Sequence, residues 1–260
     1  MEIIIQPNAQ AAAASAARYV ARVLKEKPEG VLGLATGSTP LPLYETLIGM
    51  HQAKELDLSR ITTFNLDEYV GLAGDHPASY CHFMHEHFFQ HLPIEAARIH
   101  IPDGMARDIP SACAAYEDAI REAGGIDIQV LGIGSEGHIG FNEPSSSLVS
   151  RTRLKTLTER TVSDNAIYFQ PGETVPRHVL TMGVGTIMDC RRIAMLAFGD
   201  AKAEAVAGMV EGPVTASVPA SILQMHQECK VFLDEKAAAR LERIDYYKWV
   251  YNSKPDWQRF

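Results

Sequence analysis

Val31-Leu32-Gly33-Leu34-Ala35-Thr36-Gly37-Ser38-Thr39-Pro40 is an apolar run that breaks into a hydroxyl-bearing glycine loop and ends on proline. No polar side chain interrupts Val31 to Ala35, so the strand it predicts is buried on both faces rather than alternating. Pro40 suits the first turn of a helix, where its missing N–H is one of the groups left unpaired anyway. The unit is therefore strand, tight loop, helix. Repeated along a chain, it builds a parallel sheet.

The unit does repeat. Apolar runs recur at Ile3–Ile5, Ile61–Phe64, Ile126–Ile133, Val179–Met182, Ile193–Phe198 and Lys230–Leu233. Amphipathic stretches lie near 9–27, 41–55, 79–91, 111–123, 202–210 and 235–252. The alternation predicts an α/β fold: a doubly wound, largely parallel sheet with helices on both faces. No Ser/Gly linker, charge block or internal repeat divides the sequence, so residues 1–260 read as a single domain.

Composition narrows the function classes. The 260 residues are 46% hydrophobic and 22% charged, ordinary globular proportions that remove disordered and fibrous readings. The balance of 24 Lys and Arg against 32 Asp and Glu, net −8, argues against nucleic acid or an anionic membrane as the main partner. Cys81, Cys113, Cys190 and Cys229 are far apart, with no C-x-x-C pair for zinc or redox chemistry, and read as thiols of a reducing compartment. The alanine-rich stretch near the N-terminus carries Arg18 and Arg22, and no uncharged 18-residue run follows. The expected location is the cytoplasm, with neither signal peptide nor membrane span.

In a doubly wound sheet, ligands gather at the carboxyl ends of strands, so the residues after each run carry the functional argument. Thr36-Gly37-Ser38-Thr39 offers backbone N–H groups and three hydroxyls at a helix N-terminus, an anion site or, equally, a plain helix start. Lys202, four residues past another strand, supplies a cation to the same anion or is a solvated helix residue. Asp67 and Glu68 are adjacent carboxylates after a buried strand. Repulsion and burial raise one of them toward a general base, while the plainer reading is a cap.

Gly132-Ile133-Gly134-Ser135-Glu136-Gly137 matches G-x-G-x-x-G literally, but Asn142 and Pro144 follow too soon for a helix, and Glu136 occupies the loop where a pyrophosphate would lie. Dinucleotide binding is rejected. What remains is His138, flanked by Glu136 and Glu143, a histidine that a carboxylate partner can orient for proton transfer. His82, His85, His87 and His91 share one helical stretch, yet lack the H-E-x-x-H pattern and a third ligand, so no metal is expected.

Together these blocks resemble one family. Thr36-Gly37-Ser38-Thr39-Pro40, Asn65-Leu66-Asp67-Glu68-Tyr69, Gly137-His138-Ile139-Gly140-Phe141-Asn142-Glu143-Pro144 and Ser150-Arg151-Thr152-Arg153 are similar to glucosamine-6-phosphate deaminases, in order along nearly the whole chain. The resemblance implies a cofactor-free isomerisation and hydrolytic deamination of glucosamine 6-phosphate to fructose 6-phosphate and ammonia. It implies Asp67 as the base moving the C2 proton to C1. It also implies His138 as the ring-opening group, oriented by Glu143 and Glu136, with Thr36, Gly37, Ser38, Thr39 and Lys202 on the phosphate.

Two positions depart from the family pattern. Glu136 stands where Asp or Asn is usual, and Ile167 stands where an arginine grips the phosphate, with Arg160 and Arg177 as candidate replacements. Ser146, Arg153 and Lys155 match the residues through which some hexameric members bind N-acetylglucosamine 6-phosphate allosterically, so a homo-oligomer is entertained. The competing readings are a 6-phosphogluconolactonase-like hydrolase and a non-enzymatic sugar-phosphate sensor. A sensor would carry a basic helix-turn-helix segment, whereas the first strand is expected to begin at Glu2.

Overall fold

The computed structural model describes residues 1–260. The seven apolar runs and three further segments form ten strands. Seven of these pair side by side and parallel, in the order β1 (Glu2–Gln6), β10 (Cys229–Asp234), β9 (Ile193–Ala197), β6 (Ile128–Leu131), β2 (Val31–Leu34), β3 (Thr62–Asn65) and β5 (Ile99–His100). From β2 the chain winds outward through β3 and β5. It then returns to the other side of β2 and winds through β6, β9 and β10. The order therefore reverses between β2 and β6, which opens a crevice above their carboxyl ends.

Alternate side chains of these strands feed two cores. Val31, Phe64, Leu131 and Leu233 belong to one, and Leu32, Leu34, Ile128 and Phe232 to the other. Burying both faces is why the runs show no polar alternation. On the second face lie α1 (Ala9–Glu26), α2 (Leu41–Gln52) and α3 (Tyr80–His87). The alanines of α1 at 12, 13, 16 and 17 are wholly buried, small side chains that let the helix approach the sheet closely. Asn8 caps it by accepting from the N–H of Ala11. The opposite face is covered by α4 (Ile109–Glu122), α6 (Val184–Met188) and α7 (Ala203–Val210).

A second, antiparallel sheet has the order β4 (Asp67–Tyr69), β8 (His178–Thr181), β7 (Arg153–Thr156). The run at 179–182 was expected in the parallel sheet. It is instead the middle strand of this small sheet, and an apolar strand between two neighbours reads the same in either place. β3 passes into β4 through the single residue Leu66, whose carbonyl accepts from Met182 N at 2.7 Å. The chain thus leaves the main sheet just after its carboxyl end and carries Asp67 across the crevice.

The helix expected over 235–252 is shorter. α8 spans Ile244–Asn252, and residues 235–243 form turns because Asp234 accepts from the N–H groups of Ala237 and Gly199 and pins the chain there. The remaining helix, α5 (Glu159–Asn165), sits beside the crevice.

Candidate active site

A cavity of about 530 Å³ fills the crevice, within the size range of small-ligand sites. The loops after β2 and β6 form its floor, and β4, α3 and the end of α5 its walls. Thr36, Gly37, Ser38, Thr39, Asp67, His138 and Lys202 all line it, so residues spread over 167 positions meet in one place.

The loop after β2 is shaped by Gly37, whose φ of +95° is a conformation glycine adopts freely. Tyr44 secures its entrance, its hydroxyl donating to Ala35 O at 2.6 Å and accepting from Ala35 N at 3.0 Å. The N–H groups of Thr36 to Thr39 find no acceptor in the chain. They project at the start of α2, where the helix dipole adds positive potential. Lys202 is half-buried and pairs with no carboxylate. Burial lowers its pKa, Asp164 offsets part of that and Arg160 adds to it.

Asp67 is 6% exposed. Burial, reinforced by the charge of Glu68, raises its pKa to about 8. It accepts no hydrogen bond from the protein, so nothing offsets the loss of water. Of the two, Asp67 caps nothing, whereas Glu68 does cap, closing the first turn of α3. Strand alternation points it away from Asp67, and it accepts from the N–H groups of Tyr69, Tyr80 and Cys81 at 2.8–3.0 Å, tying β4 to the first turn of α3.

The loop after β6 places the histidine. Gly134 carries no Cβ because the imidazole of His138 occupies that space. Gly140, at φ +54°, lets the backbone lie against Thr181 and Asp67. Asn142 is fully buried and donates to the carbonyls of Ile139 and Met182, fastening the loop to β8. Oε2 of Glu143 lies 3.3 Å from Nδ1 of His138, and Thr161 of α5 donates to Oε1 at 2.5 Å. Burial pushes the pKa of Glu143 up, but the adjacent His138 ring and the bond from Thr161 outweigh it and hold the carboxyl below its usual value.

Glu136 stands apart from this pair. It is partly exposed and turns toward Arg160 of α5 at 3.8 Å, so one acid, Glu143, meets the imidazole where two were expected to flank it. Ile167 is 78% exposed and does not line the cavity, so no apolar side chain replaces an arginine fork there; its neighbours Asn165 and Tyr168 do line it. The expectation of an apolar group against the phosphate is thereby corrected, because the short helical turn at 166–168 points Ile167 outward. Sequence reasoning missed Tyr69, whose hydroxyl accepts from Asn165 Nδ2 at 2.7 Å and joins the cavity wall to α5. It adjoins Asp67-Glu68, and proximity was the only signal.

Ser146, Arg153 and Lys155 do not line the cavity; Arg153 and Lys155 lie on the edge strand β7, and Ser146 in the loop that precedes it. The hydroxyl of Ser146 is buried without a partner, and Arg153 and Lys155 share one side of β7. The histidines of α3 gather no third ligand, and no group of three metal-binding side chains occurs in the chain. No helix is long and apolar enough to cross a membrane.

A switch-point cavity holding a desolvated carboxylate, a histidine set against a carboxylate and a free N–H loop belongs to an α/β enzyme that works on a small anion. The chain belongs to the family of glucosamine-6-phosphate isomerases/6-phosphogluconolactonase, whose model matches residues 6–232. A glucosamine-6-phosphate deaminase of Arthrobacter sp. (strain FB24) is 53% identical over 258 residues, 99% of each chain. The solved structure of a monomeric glucosamine-6-phosphate deaminase superposes with a TM-score of 0.90 at 45% identity, covering 92% of this chain and 100% of the other. A 6-phosphogluconolactonase from Trypanosoma brucei shares the fold, with a TM-score of 0.73 at 19% identity over 92% of this chain and 98% of its own.

Proposed function

We propose that the chain, as one domain over residues 1–260, converts glucosamine 6-phosphate to fructose 6-phosphate and ammonia without a cofactor. The observation that carries the reading is the desolvated carboxylate of Asp67 facing the same cavity as the His138–Glu143 pair. Near-full-length identity to deaminases supports it over the lactonase, for which the likeness is one of fold. It equally favours an enzyme over a sensor.

His138, held by Glu143, moves the proton between the ring oxygen and O1 as the pyranose opens. Asp67 takes the proton from C2 while O1 receives one from the amino group, and the enolamine so formed takes the first proton back at C1, leaving a ketimine at C2. Water adds there, and ammonia departs. Thr36, Gly37, Ser38, Thr39 and Lys202 hold the phosphate. Glu136 acts at the rim, through its charge, rather than on the imidazole. Free thiols at all four cysteines support a cytoplasmic setting.

We also read Ser146, Arg153 and Lys155 as a second sugar-phosphate site for N-acetylglucosamine 6-phosphate in a homo-oligomer, on the strength of the unpartnered Ser146 hydroxyl and the two cations on β7. Ammonia release from glucosamine 6-phosphate tests the activity. Its absence, with hydrolysis of 6-phosphogluconolactone present, overturns the proposal. A monomer with kinetics indifferent to N-acetylglucosamine 6-phosphate overturns the second site.

A further inference from the structure

We propose that Arg160 is the second cation of the phosphate subsite, held beside Lys202 by α5 and paired with Glu136 until substrate arrives. The proposal rests on the sugar-phosphate reading above and concerns what grips the anion within it.

Lys202 is the only lysine or arginine in the cavity lining, and a phosphate dianion held by a single lysine and neutral N–H groups remains short of charge. Arg160 lies in the first turn of α5, and its position is fixed independently of any ligand. Thr158 caps the helix by accepting from Thr161 N, and Thr161 anchors it to Glu143 inside the site. The other end of the same helix, Asn165, forms the cavity wall. Arg160 is therefore carried on an element docked to the catalytic pair.

Its guanidinium is uncommitted. It donates no hydrogen bond, and the only carboxylate oxygen within 4.0 Å of it is Oε1 of Glu136 at 3.8 Å, well beyond the 2.7–2.9 Å of a charge-assisted bond. Such an exposed, long ion pair contributes little to stability and is readily exchanged for a better anion. Arg160 is near enough for its charge to act on Lys202, with Asp164, one turn further along α5, acting the other way. Arg177 has no such placement, since it precedes β8 at the end remote from Thr181 and Asp67. A phosphate between Lys202 and the Thr36–Thr39 loop would draw Arg160 from Glu136, a rotamer change that leaves α5 in place.

The test compares wild type, Arg160→Ala, Arg160→Lys and Lys202→Ala for KM on glucosamine 6-phosphate and for the dissociation constant of inorganic phosphate by calorimetry. Arg160→Ala is expected to raise both constants about tenfold, the loss of one charge-assisted contact, while kcat stays within about threefold. Arg160→Lys should recover part of the loss, and the effect should shrink as ionic strength rises. Both constants within about twofold of wild type in Arg160→Ala, with Lys202→Ala impaired, would overturn the proposal and leave the deaminase reading intact. A wild-type protein that releases no ammonia refutes the deaminase reading instead, and the calorimetric comparison still decides the role of Arg160.

Discussion

Asp67→Asn should weaken catalysis and strengthen the fold, because one cause underlies both effects. Burial and the neighbouring Glu68 raise Asp67 from an ordinary 3.8 to about 8. The folded chain then keeps a proton that the unfolded chain releases. The associated stability is complete below about pH 4 and is lost as the pH climbs through 8. By pH 7 the unfolded state has gained roughly three pKa units of ionisation at ~1.36 kcal/mol each, on the order of 4 kcal/mol. Asparagine is neutral throughout and escapes that loss. For a chain of this size at ~2–4 °C per kcal/mol, the variant should melt on the order of 10 °C above wild type at pH 7, with the gap closing toward pH 4. Ammonia release should fall by ~10²–10⁴ while phosphate binding persists. Melting curves from pH 4 to 8, run beside the ammonia assay, decide the matter. A gap that does not depend on pH would refute the desolvated carboxylate, and wild-type turnover would remove Asp67 from the chemistry.

Three further outcomes follow from the same geometry. The acid limb of kcat/KM should lie near pH 8, where free Asp67 ionises, and that of kcat at lower pH, because the substrate's ammonium favours the carboxylate; coincident limbs near pH 4 in initial-rate profiles would contradict this. Gly134→Ala should abolish most ammonia release with little change in melting temperature, since the atoms nearest an added Cβ all belong to the His138 imidazole, which it displaces; normal turnover would show that the ring has another resting place. Glu68→Ala should destabilise the fold by about 2–4 kcal/mol in urea denaturation, because three N–H groups lose their acceptor, whereas a change below about 1 kcal/mol would mean that water replaces it.

The parallel sheet was legible because its strands are apolar without alternation and end in glycine-bearing polar loops. Thr36–Thr39, Asp67, His138 and Lys202 could all be proposed from that rule alone, and the structure brings them to one cavity. The antiparallel sheet was not legible. β4 is three polar or aromatic residues, and β7 alternates two cations with an exposed leucine and a threonine, patterns that a surface loop also satisfies. The site of Glu136 escaped for a related reason. Sequence spacing put it as close to His138 as Glu143 is, but the positive φ of Gly137 turns the chain between them, and only Glu143 folds back. Ile167 was misplaced because a family position does not specify which way a short helical turn faces.

The two adjacent carboxylates carry the central physical point. A strand sends successive side chains to opposite faces, so Asp67 and Glu68 share a backbone but not an environment. Glu68 collects three N–H donors and closes α3 against β4; Asp67 collects none and faces the cavity. Each position constrains the other. The bonds to Glu68 fix β4 where Leu66 has lifted it off the main sheet, and that holds Asp67 over the carboxyl ends of β2 and β6. The buried charge of Glu68, in turn, adds to the desolvation that raises Asp67. A base poised near neutrality needs both: a scaffold that can afford to leave one carboxylate without donors, and a neighbour whose donors keep that scaffold rigid. The stability lost at Asp67 is the condition of its basicity. Supplying it with a hydrogen-bond donor would stabilise the ion and, by the same amount, remove its capacity to take a proton from carbon.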